Sequence, residues 1–473
     1  MPGKLYAAVL AAAAAILIDQ LFIPPIVGLA DQGDFVRTIG RFGYGPLHRS
    51  GLKYVYVEPK YIPDPGYRSP AWEQANCEYL FVGAALLLNQ ALSKDGALDI
   101  TMAGLVHALA FLAVFARLLW VVRRERAHAL IWIVALVALT DAGYAVYWNS
   151  WYAEPASCFF FLLLLAEAIE IARAGQIDFA HIARWSLWSV LWIFAKPQNA
   201  PIGLILALFT LRLAMWTPSK SVRVVAAAGA GALFACAAYN VLAMPVYGRQ
   251  ANTYGMVFSG ILADSKHPRD DLRALGLDPQ LAKYAGTGAW TPGTYYPQLA
   301  ASGELTSVNT FTILRFYLLR PARMWRRLHA LLPKITFLRR DWYGNFEPSA
   351  GLPPAAQSRA FTLWSAFHER LLPPLNKWIV FALFAAPLLA AWRWLRSRDI
   401  VLRRQLELLA LLPVCCLAAL FSAVYGDAFD VIKHMYLFNL LLDACLICAA
   451  SAGWCRLAAR VTAPVPRDVV RRQ

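Results

Sequence analysis

The sequence predicts an all-α polytopic membrane protein of about ten transmembrane helices, with an interfacial helix and a large loop on the extracytoplasmic side. Three observations predict it. Of 473 residues, 59% are hydrophobic and 16% are charged; soluble domains run at about 45–50% apolar and about 25% charged. The mean hydropathy is +0.47. The apolar residues come in blocks that approach or exceed the roughly 20 needed to span a hydrocarbon core as a helix. Arginine and lysine gather in alternate gaps between those blocks, the pattern of short cytoplasmic loops.

The first block, about 5–29, has only Lys4 before it and no small-residue cleavage site after it. It reads as a retained span and not as a cleaved signal peptide. A polar stretch rich in Gly, Pro and Tyr follows, from Asp31 to about Cys77. The apolar run 79–92 is short for a span and suits a helix lying in the interface. Further spans are predicted at about 100–122, 129–147, 155–172, 182–195, 200–216 and 222–246, then 378–395, 405–424 and 435–454. The stretch Lys196-Pro197-Gln198-Asn199 interrupts the apolar run after the fifth span, 182–195.

This divides the chain into an N-terminal membrane module, 1–246, carrying a first outer loop at 30–99. A large extracytoplasmic loop covers 247–375, C-terminal transmembrane helices 376–455 and a cytoplasmic tail 456–473. Arg123, Arg124 and Arg126 follow the second span; Arg173 and Arg184, then Lys220 and Arg223, flank later gaps. Arg393, Arg396, Arg398, Arg403 and Arg404 form the densest cluster, and Arg456, Arg460, Arg467, Arg471 and Arg472 mark the tail. With ten spans, all five groups fall on the N-terminal, cytoplasmic side. The long loop is itself basic, but long loops translocate largely regardless of charge.

The net charge of +16 is accounted for by this topology. It gives no solvated basic face of the kind a nucleic-acid partner needs. Seven of the eight cysteines lie in or beside apolar blocks, and Cys77 alone is in a polar loop. Cys445 and Cys448 have CxxC spacing inside a predicted span and read as small packing residues. No zinc spacing, phosphate-cradling glycine loop or GxSxG occurs.

Four polar segments face the exterior. Asp31-Gln32-Gly33-Asp34-Phe35-Val36-Arg37 follows the first span. An aspartate there can take the proton of an attacking sugar hydroxyl, and an arginine can orient it or neutralise a phosphate. A solvated turn with Asp34 as helix cap explains the same spacing. Trp148-Asn149-Ser150-Trp151-Tyr152-Ala153-Glu154 offers rings for sugar stacking, or an ordinary aromatic belt with Glu154 at a favourable helix start. Lys196-Pro197-Gln198-Asn199 is costly in lipid unless it faces a polar cavity, or unless Lys196 snorkels from a short loop. Gly426-Asp427-Ala428-Phe429-Asp430-Val431-Ile432-Lys433-His434 brings Lys433 and His434 to headgroup depth, where they can meet a lipid phosphate or simply anchor a turn. Within the spans, Asp19, Asp141, Glu167, Glu170 and Asp443 are candidates for ion or proton pathways, or for pairing between helices.

An acidic motif in the first outer loop, an interfacial helix, about ten spans and a late outer loop together resemble the GT-C superfamily of membrane glycosyltransferases. Asp31-x-Gly33-Asp34-Phe35-x-Arg37, Tyr152-x-Glu154, Lys196-Pro197-Gln198 and Gly426-Asp427 with Lys433-His434 resemble bacterial glycan-biosynthesis hexose transferases. So do Val257-Phe258-Ser259-Gly260-Ile261-Leu262 and Leu275-Gly276-Leu277.

The resemblance implies a GT-C-like bundle in a bacterial inner membrane, with its site toward the periplasm or exterior. It implies a polyprenyl-phosphate-linked sugar as donor, a glycan or glycolipid acceptor, membrane lipids as surroundings, and inversion at the anomeric carbon. It makes Asp34 the first choice for base and Asp31 the second, with Arg37 orienting it. Tyr152, Glu154, Trp148 and Trp151 would shape the sugar site; Lys196, Gln198, Lys433 and His434 would hold the donor phosphate. Asp31 and Asp34 stand further apart than the acidic pairs of many relatives, and neither a metal nor any cofactor is assigned. The rival classes are a transporter or flippase for a lipid-linked or small polar substrate, and a glycan polymerase or ligase. Transporters commonly carry internal repeats, and none is evident here.

Overall fold

The computed structural model describes residues 2–48, 51–70, 73–93, 95–125, 127–426, 428 and 430–461. Arg126, Asp427, residues 462–473 and the side chains of Arg456 and Arg460 lie outside that description. Among the described residues the chain is a helical bundle. Its main helices are α1 (Pro2–Phe22), α2 (Glu78–Leu92), α3 (Ile100–Val122), α4 (His128–Leu139), α5 (Glu154–Arg173), α6 (Phe179–Ala195), α7 (Ala200–Ala214), α8 (Lys220–Leu242), α9 (Asn376–Arg396), α10 (Ile400–Gly426) and α11 (Val431–Val461).

Seven of these, α1, α3, α5, α8, α9, α10 and α11, are long and apolar enough to cross a membrane. The other three expected spans fall on shorter helices. α4, α6 and α7 are apolar but have only 12, 17 and 15 residues. At 1.5 Å per residue they reach roughly 18, 26 and 23 Å, against a hydrocarbon core about 30 Å thick.

Local chemistry sets several boundaries. Asp99, Asp178 and Ser219 accept hydrogen bonds from backbone N–H groups in the first turns of α3, α6 and α8, which satisfies donors a helix start leaves open. α5 begins with Glu154 and Pro155, a carboxylate at the positive end of the helix and a residue that needs no N–H there.

The predicted span 129–147 breaks because Asp141 is a cap and not a helix interior residue. Its Oδ1 accepts from Gly143 N at 2.8 Å. Its Oδ2 accepts from Trp364 N at 2.8 Å and Ser365 N at 3.0 Å. Those two belong to a segment, 363–371, that packs beyond the end of α4. The same segment carries His368, which is fully buried, with Nε2 2.7 Å from Asp443 Oδ1 and Nδ1 donating to Thr336 O at 3.0 Å. Tyr144 OH and Trp364 Nε1 donate to Asp443 Oδ2 at 2.7 and 2.9 Å. Irregular backbone at this depth is tolerated when it is enclosed in protein.

Asp141 and Asp443 are therefore anchors between segments. Glu167 is tied to Arg184 at 2.7 Å, Glu170 pairs with Arg117, and Asp19 sits on the exposed face of α1.

One hydrophobic core runs through the bundle, with Trp132, Trp148, Phe159 and Trp192 fully buried in it. The large loop divides in two. Residues 251–317 build a separate small core around Tyr254, Phe258, Leu299 and Phe316, whereas Leu328, Ile335, Leu338, Tyr343 and Phe346 join the bundle's own. The polar segment between α1 and α3 contains three short antiparallel strands: β1 (Tyr44–Pro46), β2 (Lys60–Pro63) and β3 (Leu98–Asp99), with Gly45 opposite Ile62 and Tyr61 opposite Leu98. Their order is β1-β2-β3. This sheet ties the loop to the start of α3.

Candidate active site

Two of the polar motifs interlock. The Asn149 amide donates to Leu21 O at 3.0 Å and Val27 O at 2.9 Å, which holds the end of α1 against the 148–154 segment. Gly104 of α3 makes room for it: a Cβ there would meet Asn149 Oδ1 at 2.0 Å. Tyr152 OH donates to Ala30 O and accepts from Gln32 N, both at 3.0 Å. Thr38 Oγ1 lies in hydrogen-bond contact with Trp151 O, and Phe35 packs edge-on against Tyr152 with ring centroids 4.7 Å apart.

The two aspartates of the first loop do different work. Asp31 is buried, and its Oδ1 accepts from Gly33 N at 2.6 Å and Phe35 N at 3.2 Å. Tyr67 OH donates to its Oδ2 at 3.3 Å, and Lys53 Nζ stands 3.7 Å away. Burial pushes the Asp31 carboxyl up, with Lys53 and the two backbone N–H groups opposing. It shapes the turn from inside. Asp34 points the other way, into a cavity. Arg37 Nε is 3.3 Å from its Oδ1, and Lys433 Nζ pairs with its Oδ2. Burial raises the Asp34 carboxyl, but Arg37, Lys433 and Lys196 outweigh it and hold the group well below the usual carboxylate range.

The cavity is about 90 Å³ and is lined by Asp34, Arg37, Tyr152, Glu154, Lys196 and Lys433, among others. Lys196 Nζ lies 2.5 Å from Glu154 Oε1, and Lys433 Nζ also sits 4.4 Å from the centre of the Tyr152 ring. Five charged residues from four polar segments thus meet in one place. Three are cations and two are carboxylates, an excess of one positive charge.

Other residues from the same segments lie elsewhere. Gln198 Nε2 donates to His434 O at 2.6 Å, and the His434 ring nitrogen Nδ1 is 3.1 Å from Gln198 Oε1. Neither lines the cavity. Trp148 is a core residue packed on Phe111 and Phe159, not a sugar platform. Trp151 borders the cavity, but its ring is fully buried edge-on to Tyr61. Among the described residues, no group of three or more His, Cys, Asp or Glu side chains gathers as a metal-ligand set.

The sequence reading missed the support behind this cavity. Glu78, at the start of α2, accepts from Ala156 N at 3.2 Å, and its Oε1 is 2.7 Å from His107 Nε2. His107 Nδ1 donates to Trp148 O at 2.8 Å. Both side chains are buried. The pair fixes the start of α5, and so Glu154, against α2 and α3. Its signal was a single charge at the edge of an apolar run. Glu78→Ala should cost about 3–5 kcal/mol, the range for removing one partner of a buried pair. The thermal unfolding midpoint of the purified protein in detergent measures it; an unchanged midpoint contradicts the role. Gln74, Asn76, Gly248 and Asn252 also border the cavity and carried no motif.

Fold and cavity together define a polytopic helical membrane protein with a mixed-charge cavity where several helix ends and loops converge. The chain belongs to the family of the YfdI N-terminal transmembrane domain, whose model matches residues 4–463. No curated protein matches it. Among solved structures it is similar to the archaeal oligosaccharyltransferase AglB from Archaeoglobus fulgidus in complex with an inhibitory peptide and a dolichol-phosphate, at 14% identity and TM-score 0.39, covering 98% of this chain and 52% of that one. It is also similar to an Archaeoglobus fulgidus oligosaccharyltransferase in the apo form, at 14% identity and TM-score 0.41 with the same coverage. The chain thus spans about half the length of those enzymes. A likeness at that level carries no argument about chemistry.

Proposed function

We propose that the chain is a GT-C-type membrane glycosyltransferase. It moves a sugar from a polyprenyl-phosphate donor to an extracytoplasmic glycan or lipid-linked acceptor, with inversion. The observation that supports this reading is the single cavity in which Asp34 and Glu154 face Arg37, Lys196 and Lys433. Its excess of one positive charge matches the single negative charge of a phosphodiester donor. Pyrophosphate-linked donors carry more charge and should bind less well.

In this reading the acceptor hydroxyl attacks the anomeric carbon as its proton passes to Asp34. The bond from that carbon to the phosphate oxygen breaks, and polyprenyl phosphate leaves with the electron pair. The leaving group gains a negative charge, which preorganised cations stabilise. In this reading Arg37, Lys196 and Lys433, which line the cavity, supply them. In this reading the donor phosphate competes with Asp34 for Lys433, and donor binding parts the pair. Once Lys433 turns to the phosphate, Asp34 loses a cation that kept it a weak base, and its basicity rises toward the range general-base catalysis favours.

The test is transfer by the purified chain in lipid discs from labelled polyprenyl-phosphate sugars, with pyrophosphate-linked donors alongside. Transfer from the monophosphate donors is the expected result. Absence of transfer from every donor, with substrate flux in sealed vesicles, replaces this reading with a transporter.

A further inference from the structure

The structure carries a surface that the proposed chemistry does not use. Two helices of the large loop, Thr310–Leu318 and Pro321–Leu331, follow each other closely. The first is apolar on both faces. Ile313, Phe316 and Tyr317 are buried in the loop's small core. On the opposite face Phe311, Leu314 and Leu318 are 76%, 52% and 63% exposed. These three recur at helical spacing and form one stripe. Leu319, just past the helix end, and Trp325, on the next helix, are exposed as well. A helix that is apolar all round belongs inside a core or in lipid, and a continuous exposed apolar surface marks an interaction site.

We propose that this stripe inserts into the bilayer leaflet at the end of the bundle where the cavity lies. Its position favours lipid as the occupant. Tyr425, at the end of the membrane-crossing helix α10, donates its OH to Met324 O at 2.7 Å, and its ring lies 4.8 Å from that of Tyr317. The start of α9 presents exposed Leu375, Trp378 and Phe381, so α9 also opens with an exposed apolar surface, and α9 packs against α10. The charges divide as an interfacial helix requires. Arg323 and Arg327 turn inward to Asp271 and Asp264, at 2.8 and 3.3 Å. Arg315, on the same helix as the stripe, and Arg326, on the next, are exposed, where they can meet anionic headgroups. Helix Val246–Tyr254, which supplies Gly248 and Asn252 to the cavity wall, shares the same small core through Ala251 and Tyr254. Docking the stripe in lipid therefore also holds one wall of the cavity at the membrane surface.

The full chain in discs of phosphatidylcholine and phosphatidylglycerol tests this. An environment-sensitive fluorescent amino acid replaces Leu318 in one preparation, Phe311 in a second, and the exposed Gln280 in a control. Two stripe positions guard against one variant failing to fold. At either stripe position the emission should shift to shorter wavelength, and acyl-chain-brominated lipids should quench it; the Gln280 probe should show neither effect. Water-like emission insensitive to brominated lipid at both stripe positions overturns the proposal. So does a blue shift that brominated lipid does not quench and that depends on the number of chains per disc, which would assign the stripe to a second copy.

Discussion

Asp34→Asn is expected to lower sugar transfer by about 10²- to 10⁴-fold, the usual contribution of a general base, while donor binding survives. The substitution keeps the side-chain shape and removes the basic oxygen. It also removes a carboxylate that competes with the donor for Lys433 and Arg37, so donor affinity should not fall. A loss confined to kcat, with KM unchanged or lower, is the signature.

Asp31→Asn should be much milder, because an amide oxygen can still accept from Gly33 N and Phe35 N. A reversal of the two effects would make Asp31 the base. Wild-type transfer by both variants would remove acid–base catalysis from this loop. The pH profile gives an independent reading. In the free protein Asp34 is held well below the usual carboxylate range, so it stays ionised far into acid, and the acid limb of kcat/KM should lie correspondingly low. With donor bound and Lys433 withdrawn, its pKa rises. The acid limb of kcat, which reports the complex, should therefore lie at higher pH.

Lys433→Met is expected to weaken donor binding by roughly 2–5 kcal/mol, about 30- to several-thousand-fold, the range for truncating one partner of a buried charged contact. Lys433 is only 5% exposed and is held between the Asp34 carboxylate and the Tyr152 ring. A neutral side chain of similar length fills the space without the charge. Binding of a non-transferable polyprenyl-phosphate sugar analogue measures the effect, and wild-type affinity would sink the assignment. Lys196→Met should combine weaker binding with lower stability, because it leaves Glu154, 1% exposed, without its cation. Gln198→Ala and His434→Ala should change donor affinity little, since neither residue lines the cavity. In the double variant Asp34→Asn with Lys433→Met, the effects should be non-additive, as for residues in direct contact.

The sequence made the long spans legible because a membrane demands length and apolarity together, and α3, α5, α8, α10 and α11 satisfy both. It could not show that α4 stops at Leu139. Asp141 caps through Gly143 N, two residues on, but the donors that hold its other oxygen lie 223 and 224 residues further on. Asp34, Arg37, Glu154, Lys196 and Lys433 were legible as charges at span boundaries, but not their pairing, since Asp34 and Lys433 are 399 residues apart. Lys433 and His434 looked equivalent in sequence. Neighbours on a helix point about 100° apart, and only Lys433 reaches the cavity. Trp148 misled for a related reason: a tryptophan at a span boundary has the same local sequence whether it stacks on a ligand, sits at the headgroups or fills a core.

The shortened α4 also bears on how the chain is assembled as it is synthesised. Asp141 is synthesised early, yet the backbone donors that satisfy its Oδ2 come from 364 and 365. Tyr144 waits longer still for Asp443. The first half of the protein therefore emerges from the ribosome with a carboxylate satisfied at one oxygen only, by Gly143 N, and a phenol that still lacks its carboxylate acceptor. Insertion of α4 and completion of the bundle around it are separate events, and the second must follow the arrival of α11. A chain cut between α8 and α9 would carry every membrane helix of its N-terminal module and still lack the contacts that close it.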